Sequence, residues 1–229
     1  MSTSKYVTPS ILNVKKEDRL EMVNKLVQAG IKWIHYDIMD GQFVPNTTIE
    51  PEEIAVIDKE SKPHFKDAHL MIKNPYEYIE KVIDYFDIFT FHYEAIEDDL
   101  DAFYQYLTVV NRDRILKIGL AIKPNTPVSA IVKFLPFIDL VLVMSVEPGL
   151  GGQKFMPIAL DKIKELRKLR TQHKLFYLIQ VDGGINEVYG PQCFQAGADA
   201  CVAGTYLIVD PTKERINTIL GKYAKLNNE

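Results

Sequence analysis

Apolar and polar residues alternate along the chain on two length scales. Short runs of β-branched, aromatic and other apolar residues recur, and each is followed by a longer segment in which apolar residues return at helical spacing. Short apolar runs bounded by turn residues are typical of buried strands, and the longer period is typical of helices with one buried face. The pattern predicts eight strands, at residues 7–12, 33–38, 64–71, 88–93, 117–122, 140–145, 177–182 and 200–203.

The segments between the strands each carry one apolar face. Before the seventh strand that face is formed by Leu160, Ile163 and Leu166. The lysines of the same segment are predicted to face water, at Lys162, Lys164 and Lys168. Gly30 and Gly197 each follow an alanine where a helix should stop, because glycine accepts the left-handed conformation after a last helical turn.

Eight consecutive strand–helix units in 229 residues indicate a parallel α/β fold. The unbroken pattern, in a length near the lower end of the usual range, favours a closed (β/α)8 TIM barrel. No linker, low-complexity tract or block of like charge divides the chain, so we expect a single domain over residues 1–229. The alternative is a doubly wound open sheet, which is built from the same units.

The amino-acid composition argues against some classes of binding partner. The chain has 27 basic and 31 acidic residues, a net charge of −4, and 47% hydrophobic residues. This mild acidity, without a basic stripe, argues against a nucleic-acid or membrane-surface binder. No apolar run approaches the roughly 20 residues of a membrane span, and the polar residues 1–5 do not resemble a secretory signal. Cys193 and Cys201, the two cysteines, are expected to be reduced and buried in a cytoplasmic protein.

Reactive side chains gather where three of the predicted strands end. His35 and Asp37 lie two residues apart and point to the same side of the second strand, while His69 ends the third and Asp182 the seventh. The carboxyl ends of the strands meet at one rim of a barrel, so these groups could converge on one divalent cation. Nitrogen and oxygen ligands suit zinc, iron, manganese or cobalt. The alternative for each histidine is a hydrogen-bonded core residue, although burying several charges without pairing or a metal is costly.

Two further polar residues, His92 and Glu94, lie at the end of the fourth predicted strand. They have no partner at matched spacing, so they are interpreted as supporting or structural groups. They could still join the site, because the fourth strand ends at the same rim.

Glycine-rich segments follow the last three predicted strands, at residues 148–153, 182–185 and 203–205. Glycine lets backbone amides approach an anion closely, and the loops after the seventh and eighth strands are the habitual phosphate site of this barrel. Together with the hydroxyl of Thr205 they indicate a bound phosphate, although each segment alone is consistent with a simple turn. No P-loop or dinucleotide fingerprint of the required spacing is present, so no nucleotide is expected.

In this order the motifs resemble the ribulose-phosphate 3-epimerases, metal-dependent (β/α)8 barrels of the pentose phosphate pathway. The resemblance runs through PSIL at 9–12, WIHYDIMDGQFVP at 33–45, DAHLM at 67–71, MSVEPGLGGQKF at 144–155, VDGGIN at 181–186 and GADACVAGT at 197–205. It covers nearly the whole chain.

The resemblance implies roles for individual residues. One divalent ion, zinc or iron or alternatively manganese or cobalt, is expected on His35, Asp37, His69 and Asp182. Asp37 and Asp182 are also expected to be the catalytic pair that moves protons. The sugar phosphate is expected to contact Ser10, His69, Gly149, Leu150, Gly151, Gly152, Asp182, Gly183, Gly184, Gly204 and Thr205. The expected lining beside the reaction intermediate is Met39, Met71 and Met144.

The implied activity is the interconversion of D-ribulose 5-phosphate and D-xylulose 5-phosphate by two-base proton transfer at C3 through a metal-stabilised enediolate. Leu150 stands where the family often has phenylalanine and Thr205 where serine is common, so D-allulose 6-phosphate or another ketose phosphate is the alternative substrate. A decarboxylase of the orotidine-phosphate kind is disfavoured. Such enzymes carry an Asp-x-Lys-x-x-Asp array on one strand, whereas this chain has no lysine between Asp37 and Asp40. A non-catalytic sugar-phosphate-binding barrel is the remaining alternative.

The expected partner is a small-molecule ketose phosphate. The resemblance also implies a homo-oligomer, either a dimer or a hexamer. Four tyrosines could pack against a neighbouring copy or against their own barrel: Tyr76, Tyr78, Tyr104 and Tyr106.

Overall fold

A computed structural model describes residues 4–113 and 116–222 of the chain. Its strands are β1 (Tyr6–Val7), β2 (Trp33–Met39), β3 (Phe65–Met71), β4 (Ile88–His92), β5 (Ile118–Ile122), β6 (Leu140–Met144), β7 (Leu178–Asp182) and β8 (Ala200–Val202). Its α-helices are α1 (Arg19–Gln28), α2 (Pro51–Glu60), α3 (Pro75–Val82), α4 (Tyr93–Ile96), α5 (Leu100–Asp113), α6 (Ile158–Gln172), α7 (Tyr189–Ala196), α8 (Thr205–Ile208) and α9 (Lys213–Ile219). A 3-10 helix, Val128–Phe137, connects β5 to β6.

The eight parallel strands form one sheet, and the sheet closes on itself. Its strands follow one another from β2 to β8, and β8 pairs with β1. On the other side, the backbone N–H of His35 donates to the carbonyl of Pro9 (3.0 Å), and Ser10 forms a single parallel bridge with His35. The predicted (β/α)8 barrel is confirmed, and the open-sheet alternative is wrong because the edges of this sheet meet.

Only the first predicted strand departs clearly from the structure. It was expected at residues 7–12, but β1 covers Tyr6–Val7 alone. Pro9 has no N–H and cannot donate to a strand ladder, so regular pairing stops before it. The backbone from Ser10 onward is therefore irregular and lies at the rim of the barrel. The other seven strands differ from the predictions by one residue at one end.

Alternation along β2 sorts its side chains between two layers. Ile34, Tyr36 and Ile38 point outward and are buried in the apolar layer between the sheet and the helices. His35 and Asp37 alternate with them and therefore point into the barrel. A separate apolar cluster fills the interior from the amino-terminal ends of the strands up to the carboxyl-terminal end of β6, and its members are Trp33, Ile88, Ala121, Leu140, Leu142, Met144, Val146 and Ala200. The polar side chains lie at the carboxyl-terminal mouth of the barrel, against this apolar cluster.

The prediction that all three lysines of α6 face water is wrong for Lys162. Its side chain is only 7% exposed, whereas Lys164 and Lys168 are exposed. The Nζ of Lys162 donates to the carbonyls of Lys123 (2.8 Å) and Thr126 (2.6 Å). Lys162 shares the buried face of α6 with Ala159, Ile163 and Leu166, so the helical spacing places it inside and only its charge suggested solvent. The stem of a lysine can lie along such an apolar face while its ammonium reaches polar atoms.

The predicted helix stops and cysteine states are confirmed. Gly30 and Gly197 follow α1 and α7 with φ of 105° and 127°, the left-handed side that glycine accepts readily. Cys193 and Cys201 are buried and free. Within residues 4–113 and 116–222, none of the helices has the length and apolar character needed to span a bilayer.

Candidate active site

Three strand ends bring four ionisable side chains together. One ligand atom from each of His35, Asp37, His69 and Asp182 lies within 4.8 Å of the others. The Nδ1 of His69 is 3.2 Å from His35 Nε2, 3.0 Å from Asp37 Oδ1 and 3.9 Å from Asp182 Oδ2. The parallel register of β2 and β3 places Asp37 directly beside His69, which explains how residues distant in sequence meet.

Asp67 orients His35 from the interior of the barrel. Its Oδ2 lies 2.8 Å from His35 Nδ1 and also accepts hydrogen bonds from Gln180 Nε2 (2.9 Å) and Trp33 Nε1 (3.2 Å). A carboxylate only accepts, so His35 keeps a proton on Nδ1, and Nε2 is the nitrogen that would give up its proton to bind a cation. Burial works to lower the pKa of His35, but the carboxylates of Asp67 and Asp37 outweigh it and raise that pKa well above the ordinary value.

These donors fit a divalent cation. Two imidazoles and two carboxylates are a ligand set that zinc and other transition metals accept. Buried carboxylates that raise the pKa of His35 show that the cluster favours added positive charge. A metal ion held by these four residues would supply that charge. The cluster could therefore hold a metal ion.

The two carboxyl groups of the cluster differ in their affinity for a proton. Burial and the nearby charge of Asp37 raise the pKa of Asp182 to about 6. Burial also acts on Asp37, but the charges and hydrogen bonds of His35 and His69 outweigh it and hold its pKa well below the usual range. Ser10 adds a hydrogen bond from Oγ to Asp37 Oδ2 at 2.5 Å. Opposed shifts of this kind are how a site keeps one carboxylate as a base and another as an acid.

A cavity of about 460 Å³ opens above the cluster. His35 and His69 lie beneath it and are fully buried, while Asp37 and Asp182 line it. The remaining sequence-predicted site residues also line it: Ser10, Met39, Met71, Met144, Gly149, Leu150, Gly151, Gly152, Gly183, Gly184, Gly204 and Thr205. The structure therefore brings all of the predicted site residues to one mouth of the barrel.

Glycine is required sterically in the wall of this cavity. Gly184 has a φ of 62°, and a Cβ there would lie 2.5 Å from the backbone nitrogen of Phe155. A Cβ on Gly183 would lie 2.5 Å from a methyl group of Val146. The loops after β6 and β7 can pack this closely only because these positions have no side chain.

Asn13 is a cavity residue that the sequence analysis missed. Its Nδ2 donates to Thr205 Oγ1 at 2.9 Å, and a Cβ on Gly151 would lie 2.4 Å from the same nitrogen. The residue links the segment after β1 to the loops after β6 and β8. Because Thr205 accepts from Asn13, its hydroxyl proton is left to donate. An isolated asparagine carries no sequence signal for this contact.

His92 and Glu94, which were interpreted as supporting or structural groups, lie directly behind His69. The Nε2 of His92 is 2.8 Å from His69 Nε2, and its Nδ1 is 3.0 Å from Glu94 Oε2. Burial lowers the pKa of His92 to about 4, although the hydrogen bond to Glu94 opposes that shift. Burial acts to raise the pKa of Glu94, but His92 and the donors around it lower that pKa to about 2.

Comparison with known proteins gives one consistent family. The model of the "Ribulose-phosphate 3 epimerase family" matches residues 6–208. A ribulose-phosphate 3-epimerase of Eremothecium gossypii is 40% identical over 214 residues, covering 87% of this chain and 84% of the relative. The Chlamydia pneumoniae enzyme of the same name is 41% identical over 207 residues, covering 89% and 88%. A cytoplasmic isoform from Oryza sativa is 36% identical over 203 residues, covering 87% and 85%.

Two solved structures with a similar barrel are more distant from this chain in sequence than these relatives. A 3-hexulose-6-phosphate synthase superposes with a TM-score of 0.66 at 13% identity, covering 96% of this chain and all of that one (100%). An N-acetylneuraminic acid synthetase from Leptospira borgpetersenii gives the same TM-score of 0.66 at 11% identity, covering 99% and 88%. At these identities the similarity supports the fold alone.

Proposed function

The chain belongs to the ribulose-phosphate 3-epimerase family and is an epimerase, and on that premise we propose that it interconverts D-ribulose 5-phosphate and D-xylulose 5-phosphate. The observation that carries the proposal is the pair of carboxyl groups at one cavity, Asp37 with a lowered pKa and Asp182 with a raised one. Inverting the carbon beside a ketone requires one group that takes a proton and another that returns one.

The proposed cofactor is one divalent ion held by His35, Asp37, His69 and Asp182. Bound there, it would act as a Lewis acid and stabilise the negative charge that develops on the ketone and neighbouring hydroxyl oxygens. The ligand set suits zinc or iron, and alternatively manganese or cobalt. Asp67 supports the proposal because its contact with Nδ1 leaves the Nε2 of His35 as the ligand atom.

The proton steps belong to the two aspartates. Asp37, ionised and hydrogen-bonded by Ser10, takes the C3 proton on one face as the C–H electron pair moves toward the carbonyl oxygen. Asp182, protonated at the start, returns a proton to C3 from the opposite face, and the substrate's formula is unchanged. In the reverse reaction, Asp182 takes the proton and Asp37 returns one. After each turnover, proton exchange with solvent restores the starting protonation states of the two aspartates. Met39, Met71 and Met144 provide apolar, polarizable lining that limits access of water.

The phosphate is proposed to bind at the glycine loops, remote from C3. Gly183, Gly184 and Gly204 expose backbone at this end of the cavity, and Thr205 has a hydroxyl proton to donate. Backbone amides and a hydroxyl bind a phosphate without adding a charge that would compete with the metal cluster. This arrangement supports a ketose phosphate, in preference to a free sugar, as substrate.

The choice of ketose phosphate is tested by comparing ribulose 5-phosphate with allulose 6-phosphate under identical metal loading. We expect a higher kcat/KM for ribulose 5-phosphate. A preference for allulose 6-phosphate would instead assign the chain to the six-carbon substrate while leaving the epimerase chemistry intact.

Thr205→Val is expected to raise KM about 10-fold and to change kcat little. A hydrogen bond to a charged group is worth about 1.5–3 kcal/mol, and phosphate binding that is equal in the ground and transition states appears in KM. Thr171→Val, on the exposed surface of α6, is the control and should leave both constants unchanged. Steady-state kinetics with ribulose 5-phosphate provide the measurement. A fall in kcat at constant KM would contradict a phosphate-binding role for Thr205.

Self-association and a cytoplasmic location are also proposed, both from the family. Tyr76 and Tyr106 pack against each other and against Phe91 of their own barrel, so they give no support for a dimer or hexamer. Tyr104 packs beside Phe137 and is 42% exposed, so part of its ring is accessible to a neighbouring copy. The relative from Oryza sativa is named as a cytoplasmic isoform, which supports the proposed location.

A further inference from the structure

Three ionisable side chains, His69, His92 and Glu94, form a chain of contacts that begins at His69 and leads away from the other three proposed metal ligands. His69 Nε2 contacts His92 Nε2 at 2.8 Å, and His92 Nδ1 contacts Glu94 Oε2 at 3.0 Å. His92 is fully buried at the end of β4. The other carboxylate oxygen, Glu94 Oε1, accepts from the backbone N–H of Lys123 at 2.8 Å and from the hydroxyl of Thr126.

The direction of these hydrogen bonds follows from the chemistry of Glu94. A carboxylate surrounded by donors acts only as an acceptor, so His92 carries its proton on Nδ1. With its proton on Nδ1, His92 has a lone pair on Nε2. His69 Nε2 lies 2.8 Å from that atom, so the hydrogen bond requires His69 Nε2 to carry the proton and donate it. With its proton on Nε2, His69 has a lone pair on Nδ1, the atom that faces Asp37 and His35.

We infer that His92, held by Glu94, is a positioning residue that accepts the Nε2 proton of His69 and so fixes the tautomer and ring plane that present Nδ1 to a metal ion. This inference rests on the proposed metal site. It assigns to His92 and Glu94 a role like that of Asp67 at His35, but reached through a second imidazole. Groups that orient ligand histidines are typically worth about 10- to 100-fold in metal affinity or activity.

Packing offers a competing explanation for His92, because its ring lies 4.9 Å from that of Phe43. The two explanations predict opposite orders for two substitutions. Phenylalanine keeps an aromatic ring but has no acceptor for His69. Glutamine loses the ring but can place its carbonyl oxygen where Nε2 was. The positioning role therefore predicts that His92→Gln binds metal better than His92→Phe, and a packing role predicts the reverse.

Thr90→Val provides a matched control on the same strand. Thr90 is fully buried two residues before His92, and its Oγ1 has no hydrogen-bond partner within residues 4–113 and 116–222. Replacing it alters β4 without removing a hydrogen bond seen in the described part of the chain. The Kd for Co²⁺ is measured by titration of the metal-free full-length proteins, with thermal unfolding as the check on folding.

We expect His92→Phe to weaken Co²⁺ binding about 10- to 100-fold, with His92→Gln and Thr90→Val within a few-fold of the unsubstituted protein. Equal or tighter binding by His92→Phe than by His92→Gln overturns the inference. Should His92→Phe not fold, Glu94→Ala tests the same chain one link further out, and unchanged Co²⁺ affinity there also overturns it. Absence of Co²⁺ binding by the unsubstituted protein would instead contradict the proposed metal site, and with it the inference.

Discussion

Asp182→Asn is expected to lower kcat by about 10²- to 10⁴-fold while the barrel remains folded. Asparagine has the shape of aspartate and keeps an oxygen that can contact a metal, but its amide group cannot take up and release a proton near neutral pH. General acid–base catalysis by a positioned group is typically worth that range. Asp182 is the carboxyl whose pKa is raised to about 6, which suits it to alternate between the two protonation states. Initial rates with ribulose 5-phosphate give the effect.

The asparagine substitution needs a control for charge and for folding. Asp161→Asn changes an exposed carboxylate on α6 that pairs with Lys164, and its kcat should equal that of the unsubstituted protein. Circular dichroism should show the same fold in both variants. Turnover by Asp182→Asn within about tenfold of the unsubstituted enzyme would rule out a catalytic proton transfer at this residue.

Removal of bound metal is expected to lower activity by at least about a thousandfold, with recovery when a divalent ion is returned. Lewis-acid stabilisation of developing charge is worth several kcal/mol, and each 1.36 kcal/mol corresponds to a tenfold change in rate. Three of the four proposed ligand side chains are buried, which predicts slow exchange of the ion, so a chelator should act over prolonged dialysis. Elemental analysis before and after dialysis measures the metal content.

A pair of histidine variants locates the ion. His69→Gln should reduce the metal content from about one ion per chain to nearly none, whereas His173→Gln, on the exposed turn after α6, should leave it unchanged. Full epimerase activity in protein shown to be metal-free would refute the cofactor proposal. Equal metal content in both variants would place the ion elsewhere.

The strand pattern predicted the barrel because each β/α unit carries its own local signal. Seven strands were located to within one residue, and the two-residue spacing of His35 and Asp37 correctly indicated a shared face of β2. The closed barrel was predicted from the number of units and the chain length, but the contact that completes the closure could not be derived in this way. That contact joins Pro9 and His35, which are separated by a helix and carry no mutual signal in sequence.

The candidate site was predictable where strand ends and glycine loops have characteristic patterns. The contacts of His92 were not, because its partner His69 lies on a neighbouring strand and meets it only through the register of β3 and β4. Asn13 was missed because its contact with Thr205 joins segments 192 residues apart. Lys162 was assigned to solvent because of its charge, although its position in α6 lies on the buried face. Its ammonium is satisfied by two backbone carbonyls that the sequence does not indicate.

The fate of hydrogen at C3 tests the proposed pair of opposed carboxyl groups most directly. Ribulose 5-phosphate is incubated in D₂O with the metal-loaded enzyme, and both epimers are followed at early times by proton NMR. Transfer between Asp37 and a solvent-exchanged Asp182 predicts that newly formed xylulose 5-phosphate carries deuterium at C3 while unreacted ribulose 5-phosphate retains its proton. Xylulose 5-phosphate that keeps the original C3 proton would contradict the two-carboxyl account, and no conversion or exchange would indicate a barrel that only binds its sugar phosphate.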